Sequence, residues 1–286
     1  MNNKTVAILI KAAQARHSVR NFLPKALSNE IVSELEAFIK ELEVPFQHNT
    51  NIKHFKAETG KKLYNNGINA PDNLAVFAQT DLVSVSKAGF CGQLVVLKLT
   101  SLGVNTCWFG HYKLQELAKY VGEEFATKDR IRETTWGLGY GYGKVIDAGE
   151  RVICCIACGY GNPDAKRLVD KVASKNGIGR KPLTELTEKD SNLALLPENV
   201  VRALDFARLA PSAANSQMWR FGIHEDGKTI TVAKPIGYKH FKWEHPDTDI
   251  GICAAHLWLG LLNEGFTPEI EVKHDSDRAM WSFHLA

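Results

Sequence analysis

The stretch Leu209-Ala-Pro-Ser-Ala-Ala-Asn-Ser-Gln-Met-Trp219 sets small and polar side chains where the chain turns from a helix into a strand. Ser212, Asn215, Ser216 and Gln217 supply hydroxyl and amide groups that both donate and accept hydrogen bonds. Pro211, Ala213 and Ala214 leave room for a flat ring to approach the backbone. Pro211 should end the preceding helix, because proline disfavours α geometry in the residue before it. Trp219 and Phe221 then begin a strand. The same pattern also describes an ordinary helix–loop–strand connection, and the chemistry of this loop alone leaves both readings open.

A second group lies far upstream, Arg16-His17-Ser18-Val19-Arg20-Asn21-Phe22. Two guanidinium groups and a hydroxyl within five residues suit an anion such as phosphate; they also suit a solvated basic surface. Arg180, in Arg180-Lys181-Pro182-Leu183, is a further cation of either kind. Other groups point away from chemistry. Cys155-Ile-Ala-Cys158 is a lone Cys-x-x-Cys in an apolar run, and zinc would need a second pair. Gly137–Lys144 is glycine-rich, but Leu138 and Val145 occupy positions a phosphate loop gives to Gly and to Ser or Thr. His240, His245 and His256 have no metal-ligand spacing. His256 reads as a core or interface residue, and Lys239, His240 and Lys242 as surface. No metal is expected.

The elements that must position these groups follow from periodicity. Helices are expected over 5–15, over the run containing Ile31, Leu35, Phe38, Ile39 and Leu42 with Ser28 as N-cap, over Gly89–Leu102, Leu114–Val121, 200–209 and Asp249–Asn263. The Gly89 and Asp249 helices are apolar nearly all round, so both should be central. Gly103 and Gly265 are placed to end them. Strands are expected at Leu74–Ala78, Arg151–Cys158, Trp219–His224, Thr229–Ala233, 269–273 and 280–284. Asp226-Gly227 predicts a two-residue hairpin turn. Residues 46–70 read as irregular.

At 286 residues the chain suits one large domain or two small ones. A hydrophobic share of 44% with 23% charged residues is that of an ordinary soluble globular protein. The net charge of +3 is too small to argue for nucleic acid or a membrane surface. No signal peptide and no long uninterrupted apolar run is visible. Six cysteines in apolar surroundings read as reduced thiols of a cytoplasmic protein.

An internal repeat organises the whole. At a constant offset, Gly89 matches Gly251, Cys91 matches Cys253, Leu97 matches Leu259, Leu99 matches Leu261 and Gly103 matches Gly265. The earlier helices align too, Ile31-Val32 with Val200-Val201 and Leu35 with Leu204. The expected fold is α+β, with mixed, mostly antiparallel sheets flanked by helices. Two related halves, 1–178 and 179–286, would meet at their central helices.

Ala210-Pro-Ser-Ala-Ala-Asn-Ser-Gln-Met-Trp219 resembles the Ala-Pro-Ser-x-x-Asn-x-Gln-Pro-Trp motif of the nitroreductase superfamily of FMN enzymes, with Met218 where proline is frequent. Arg16–Phe22 resembles that family's N-terminal Arg-(Arg/His)-Ser-x-(Arg/Lys)-x-Phe phosphate motif. The resemblance implies a nitroreductase-like fold with FMN between two modules. It implies Arg16, His17, Ser18 and Arg180 toward the phosphate and Arg20 near the pyrimidine edge of the ring. Pro211, Ser212, Ala213, Asn215 and Gln217 would lie along the ring or ribityl chain, and Phe109 and Gly110 close to the flavin. The first half keeps the phosphate motif, but Val44-Pro-Phe-Gln47 lacks the small polar shelf; the second half keeps the shelf. The chain therefore resembles a fused pseudo-dimer branch of the superfamily with one intact site. The implied activity is electron transfer from NADH or NADPH to a nitroaromatic or quinone-like acceptor, by a monomer or weak homodimer. The alternative is a flavin-binding carrier or redox sensor without turnover.

Overall fold

A computed structural model of the protein describes residues 1–57, 63–64, 68–126, 135–137, 140–142, 149–164, 179–240 and 244–285. The chain begins with α1 (Asn3–Ala15), α2 (Asn29–Lys40), β1 (Asn51–Lys56), β2 (Asp72–Gln79), α3 (Leu82–Ser101) and β3 (Asn105–Phe109). It continues through α4 (Leu114–Val121), β4 (Thr135–Gly137), β5 (Tyr140–Tyr142) and β6 (Glu150–Gly159). Then come α5 (Leu183–Leu186), α6 (Glu198–Ala207), β7 (Arg220–Ile223), β8 (Thr229–Ala233), α7 (Asp247–Asn263), β9 (Glu269–Asp275) and β10 (Arg278–His284).

The strands form two four-stranded antiparallel sheets, ordered β1-β2-β6-β3 and β7-β8-β10-β9. Each sheet follows one plan: a hairpin, a long helix, an edge strand, and a last strand inserted between hairpin and edge. The fold is α+β, and its two halves share this topology. They differ in the final connection. β9 and β10 join through Ser276 and Asp277, whereas β3 and β6 are separated by residues 110–149, which hold α4 and the small β4–β5 ribbon.

The helices α3 and α7 stack between the sheets. One face of α3 (Val85, Ala88, Cys91, Val95, Leu99) packs with α2 and with Leu74, Val76, Cys154 and Ile156 of the first sheet. Its other face (Phe90, Leu94, Leu97) joins α1, α6, α7 and the second sheet through Phe221, Val232, Trp281 and Phe283. Burial on both sides explains why neither helix has a polar stripe. Where they cross, a methyl group on Gly89 would overlap the backbone of Thr248, and one on Gly251 would overlap that of Ser86. Both helices end alike. Gly103 (φ 76°) and Gly265 (φ 87°) are left-handed. Val104 N–H donates to Leu99 O (3.0 Å) and Phe266 N–H to Leu261 O (2.9 Å), closing the same six-residue loop. α3 also has the length and composition of a membrane span, but 72% of that window is buried inside the fold.

Four expectations need correction. β1 lies inside 46–70, which the sequence reads as irregular; its two large apolar residues, Ile52 and Phe55, are buried on opposite faces of the sheet and show no period. α3 starts seven residues before Gly89, because the Asp81 carboxylate accepts Ser84 N–H (2.9 Å) and caps a Val- and Ser-rich first turn. α6 ends at Ala207, ahead of the turn that Pro211 enforces. The β7–β8 hairpin is wider than a two-residue turn: His224 N–H donates to Thr229 O, and Asp226 Oδ1 accepts from Lys228 N–H and Thr229 N–H. The basic run over 165–178, most of the glycine-rich 137–144 segment and the boundary at 178 lie outside the described residues.

Candidate functional site

Arg16 is the C-cap of α1, its N–H donating to Ala12 O (2.8 Å). A cation is favoured there by the helix dipole. The chain then runs beside β3: Ser18 bridges Thr106 in parallel, and Val19 N–H donates to Thr106 O (3.0 Å). Among the described residues the Arg16 guanidinium has one partner, Ser18 Oγ at 3.4 Å, and its Nε is buried without any. Burial, the Arg180 charge and then the Arg20 charge push its pKa down to about 10, against a smaller opposite effect of Cys107. His17 stays exposed, with Nδ1 3.4 Å from Ala15 O, and is not drawn toward Arg16 by any hydrogen bond.

Arg180 holds the shelf. Its Nη1 donates to Ala210 O (2.7 Å) and to Asn215 Oδ1 (3.4 Å), and its Nη2 to Leu209 O (3.0 Å). It thus satisfies carbonyls left open where α6 ends. Burial lowers its pKa as well. Neither Arg16 nor Arg180 has a carboxylate partner among the described residues. Two partly desolvated cations within electrostatic reach of each other, with no carboxylate partner among the described residues, are chemically suited to an anion.

The loop itself is strained. Ala214 (φ 51°), Asn215 (φ 55°) and Gln217 (φ 46°) are three of the four non-glycine residues with positive φ among the described residues. Such conformations persist only where surroundings impose them. Here Ser212 Oγ accepts Gln217 N–H (3.0 Å), and Asn215 Nδ2 donates to Gly179 O (3.4 Å). Pro211 is buried, while Ser212, Ala213, Asn215 and Ser216 keep accessible surface and Ala214 is exposed. Gln217 departs from its expected place along a ligand. It is 1% exposed, its Nε2 donates to Gly179 O (3.0 Å), and its Oε1 accepts Lys181 N–H (2.9 Å). It fastens 179–181 to the loop.

Phe109 and Gly110 are not joined to this constellation by any hydrogen bond, ion pair or ring contact among the described residues. Phe109 is buried on the far face of the first sheet, with its ring 4.8 Å from that of Tyr64. The alternation of β3 sends it there, while Trp108 points to α3. Trp108 Nε1 donates to Gln93 Oε1 (3.0 Å), and Gln93 Nε2 meets His256 Nε2 (2.9 Å), a polar chain between α3 and α7. Burial first, then the Arg16 and Arg180 charges, push His256 down to about 3, so it stays neutral. Among the described residues no cluster of three His, Cys, Asp or Glu side chains could hold a metal.

Two further residues hold the shelf: Asp249, which sequence reasoning missed, and His240, which it read as surface but which is 2% exposed. Asp249, in the first turn of α7, accepts Ala213 N–H on Oδ2 (2.9 Å), and His240 Nε2 lies 3.2 Å from Ala213 O. No local pattern in the sequence marks Asp249, whose partner lies 36 residues away. Its counterpart at the Gly89–Gly251 offset is Lys87, whose Nζ donates to Gln47 O (2.8 Å) in the loop of the first half. That loop borders a cleft of about 150 Å³ lined by Gln47, His48, Asn49, Gln79, Ser84 and Lys87.

The chain matches the family model described as "Putative TM nitroreductase" over residues 8–129 and 134–261. It is similar in structure to a putative nitroreductase from Thermotoga maritima, at 20% identity and a TM-score of 0.55, covering 97% of this chain and 93% of that one. A nitroreductase family protein from Clostridium difficile 630 aligns at 14% identity over 67% of this chain and 100% of its own, with a TM-score of 0.43. A nitroreductase with bound FMN from Bacteroides fragilis aligns at 16% identity over 58% and 92%, with a TM-score of 0.38. No curated protein sequence matches the chain.

Proposed function

The chain belongs to the TM nitroreductase family, and from that premise we propose that it is an FMN-dependent oxidoreductase passing electrons from NADH or NADPH to a nitroaromatic or quinone-like acceptor. The observation that carries the reading is the pair Arg16 and Arg180, two partly desolvated guanidinium groups with no carboxylate partner among the described residues, beside a strained polar loop. A phosphate monoester matches that positive charge, and the buried Arg16 Nε, which has no partner among the described residues, is a donor it could satisfy.

Arg16 and Ser18 hold the phosphate, with Arg180 completing its charge balance while it braces the shelf. Arg20 adds positive charge on the side that becomes electron-rich on reduction. Ser212 turns its hydroxyl and Ala213 its small side chain to the ring and ribityl chain, while Asn215, bonded to Arg180 and Gly179, and Gln217 keep the loop in shape. When bound, FMN supplies the hydride and electron transfer, so the side chains need only bind, orient and exclude water. The two halves, 1–178 and 179–286, act as a pseudo-dimer with one such site, the first giving the phosphate grip and the second the shelf.

The test is optical. The purified protein should show the visible absorption of oxidised flavin at one FMN per chain after incubation with excess nucleotide. It should also oxidise NADH or NADPH when a nitroaromatic or quinone is added. A protein that stays colourless with excess FMN overturns the reading; flavin without turnover reduces it to a carrier.

A further inference from the structure

We propose that Asp249 is the positioning residue of the flavin shelf: its carboxylate holds Ala213 and the left-handed residues after it in the shape that seats the ring, and proton uptake loosens that hold. The inference rests on the FMN reading above. Its geometry is local. Both backbone polar groups of Ala213 meet side chains, the N–H meeting Asp249 Oδ2 at 2.9 Å and the carbonyl meeting His240 Nε2 at 3.2 Å. The next two residues are the left-handed Ala214 and Asn215, conformations that persist only where their surroundings impose them. An ionised carboxylate accepts an N–H more strongly than a neutral acid does. A protonated Asp249 would in addition bring an O–H needing an acceptor in a buried place.

The groups around Asp249 make its charge adjustable. Asp247 and Cys253 face it on α7, Cys154 faces it from β6, and Tyr238 faces it from the segment before α7. His240 reaches it through Ala213, and Lys234 sits nearer Asp247. His245, at the start of the helix, is held neutral by burial at a pKa of about 4. Burial, with the Asp247 charge and against the Ala213 hydrogen bond, pushes Asp249 up to about 7. It therefore changes charge around neutrality.

The experiment titrates FMN into the protein at several pH values between about 6 and 8, reading the dissociation constant from flavin fluorescence. Asp249→Asn is titrated in parallel: its amide oxygen still accepts the Ala213 N–H but takes up no proton. The phosphate of FMN titrates in the same range, so the difference between the two proteins isolates Asp249. Relative to the variant, the wild type should lose about threefold in affinity from pH 8 to pH 6, most of a full coupling of about fivefold. Matching pH profiles overturn the proposal and leave the FMN reading intact. No FMN binding at any pH overturns both. Should the variant fail to fold, carbon NMR of the Asp249 carboxyl in the wild type reads the same linkage. FMN must then lower its midpoint by about 0.7 unit, and an unmoved midpoint overturns the proposal.

Discussion

Gly251 lies against the backbone of Ser86 as Gly89 lies against that of Thr248, and each glycine stands three residues beyond the residue its partner touches. This reciprocity places a local twofold axis between α3 and α7. Close approach of two backbones leaves no room for a Cβ, and overpacking typically costs about 1–3 kcal/mol. Here the obstacle is a carbonyl that cannot move without shifting a whole helix. Gly251→Ala and Gly89→Ala should each destabilise by at least about 3 kcal/mol, read as a fall in the midpoint of chemical unfolding.

Arg16 sets binding against stability. Arg16→Met removes a cation that has no carboxylate partner among the described residues and replaces it with an apolar side chain of similar length. Loss of one or two charge-assisted hydrogen bonds, at about 1.5–3 kcal/mol each, should weaken FMN by about 30-fold or more. The thermal midpoint of the flavin-free protein should not fall. A large drop in that midpoint would show that Arg16 mainly supports the fold.

The Trp108–Gln93–His256 chain is buried between the central helices, and Gln93 serves both neighbours. Gln93→Leu leaves Trp108 Nε1 and His256 Nε2 without partners and should cost about 2–4 kcal/mol. Adding His256→Leu should restore part of that loss, since one stranded polar group is then gone. Urea unfolding of the two single variants and the double variant measures the coupling.

Asp247 gives a stability effect with a definite sign. Its Oδ1 accepts Ala279 N–H (2.7 Å), but Oδ2 is buried without a partner, and burial pushes its pKa up to about 6 from the ordinary 3.8. A pKa raised by folding stabilises the native state fully below the unfolded value, and that stabilisation is lost as pH rises through the folded one. The wild type should therefore lose stability between about pH 4 and pH 7. Asp247→Asn should gain up to about 3 kcal/mol on it at pH 8, and little at pH 4. Calorimetry at the two pH values checks this.

The central helices, their glycine ends and most strands are legible from the sequence because each rests on one dominant signal. Gly103 and Gly265 need left-handed backbone, and Leu74–Ala78 is a buried run of fixed length. β1 is not, since it is an edge strand whose two large apolar residues lie on opposite faces of the sheet. Arg16, Ser18 and the shelf loop are legible as types and spacing, and the fold does bring Arg16 within electrostatic reach of Arg180. The direction of Gln217 is not legible, because an amide reads alike whether it meets a ligand or the backbone of Gly179 and Lys181. Nor is Asp249, whose partner Ala213 lies 36 residues away.

The pairing of Lys87 with Gln47 and of Asp249 with Ala213 has a further consequence. Two identical chains around an exact axis carry every substitution twice, so an acid on one long helix is an acid on the other. Two like halves within one polypeptide carry no such duplication. One half grasps a carbonyl with an ammonium while the other grasps an amide with a carboxylate, and each side of the axis can change alone.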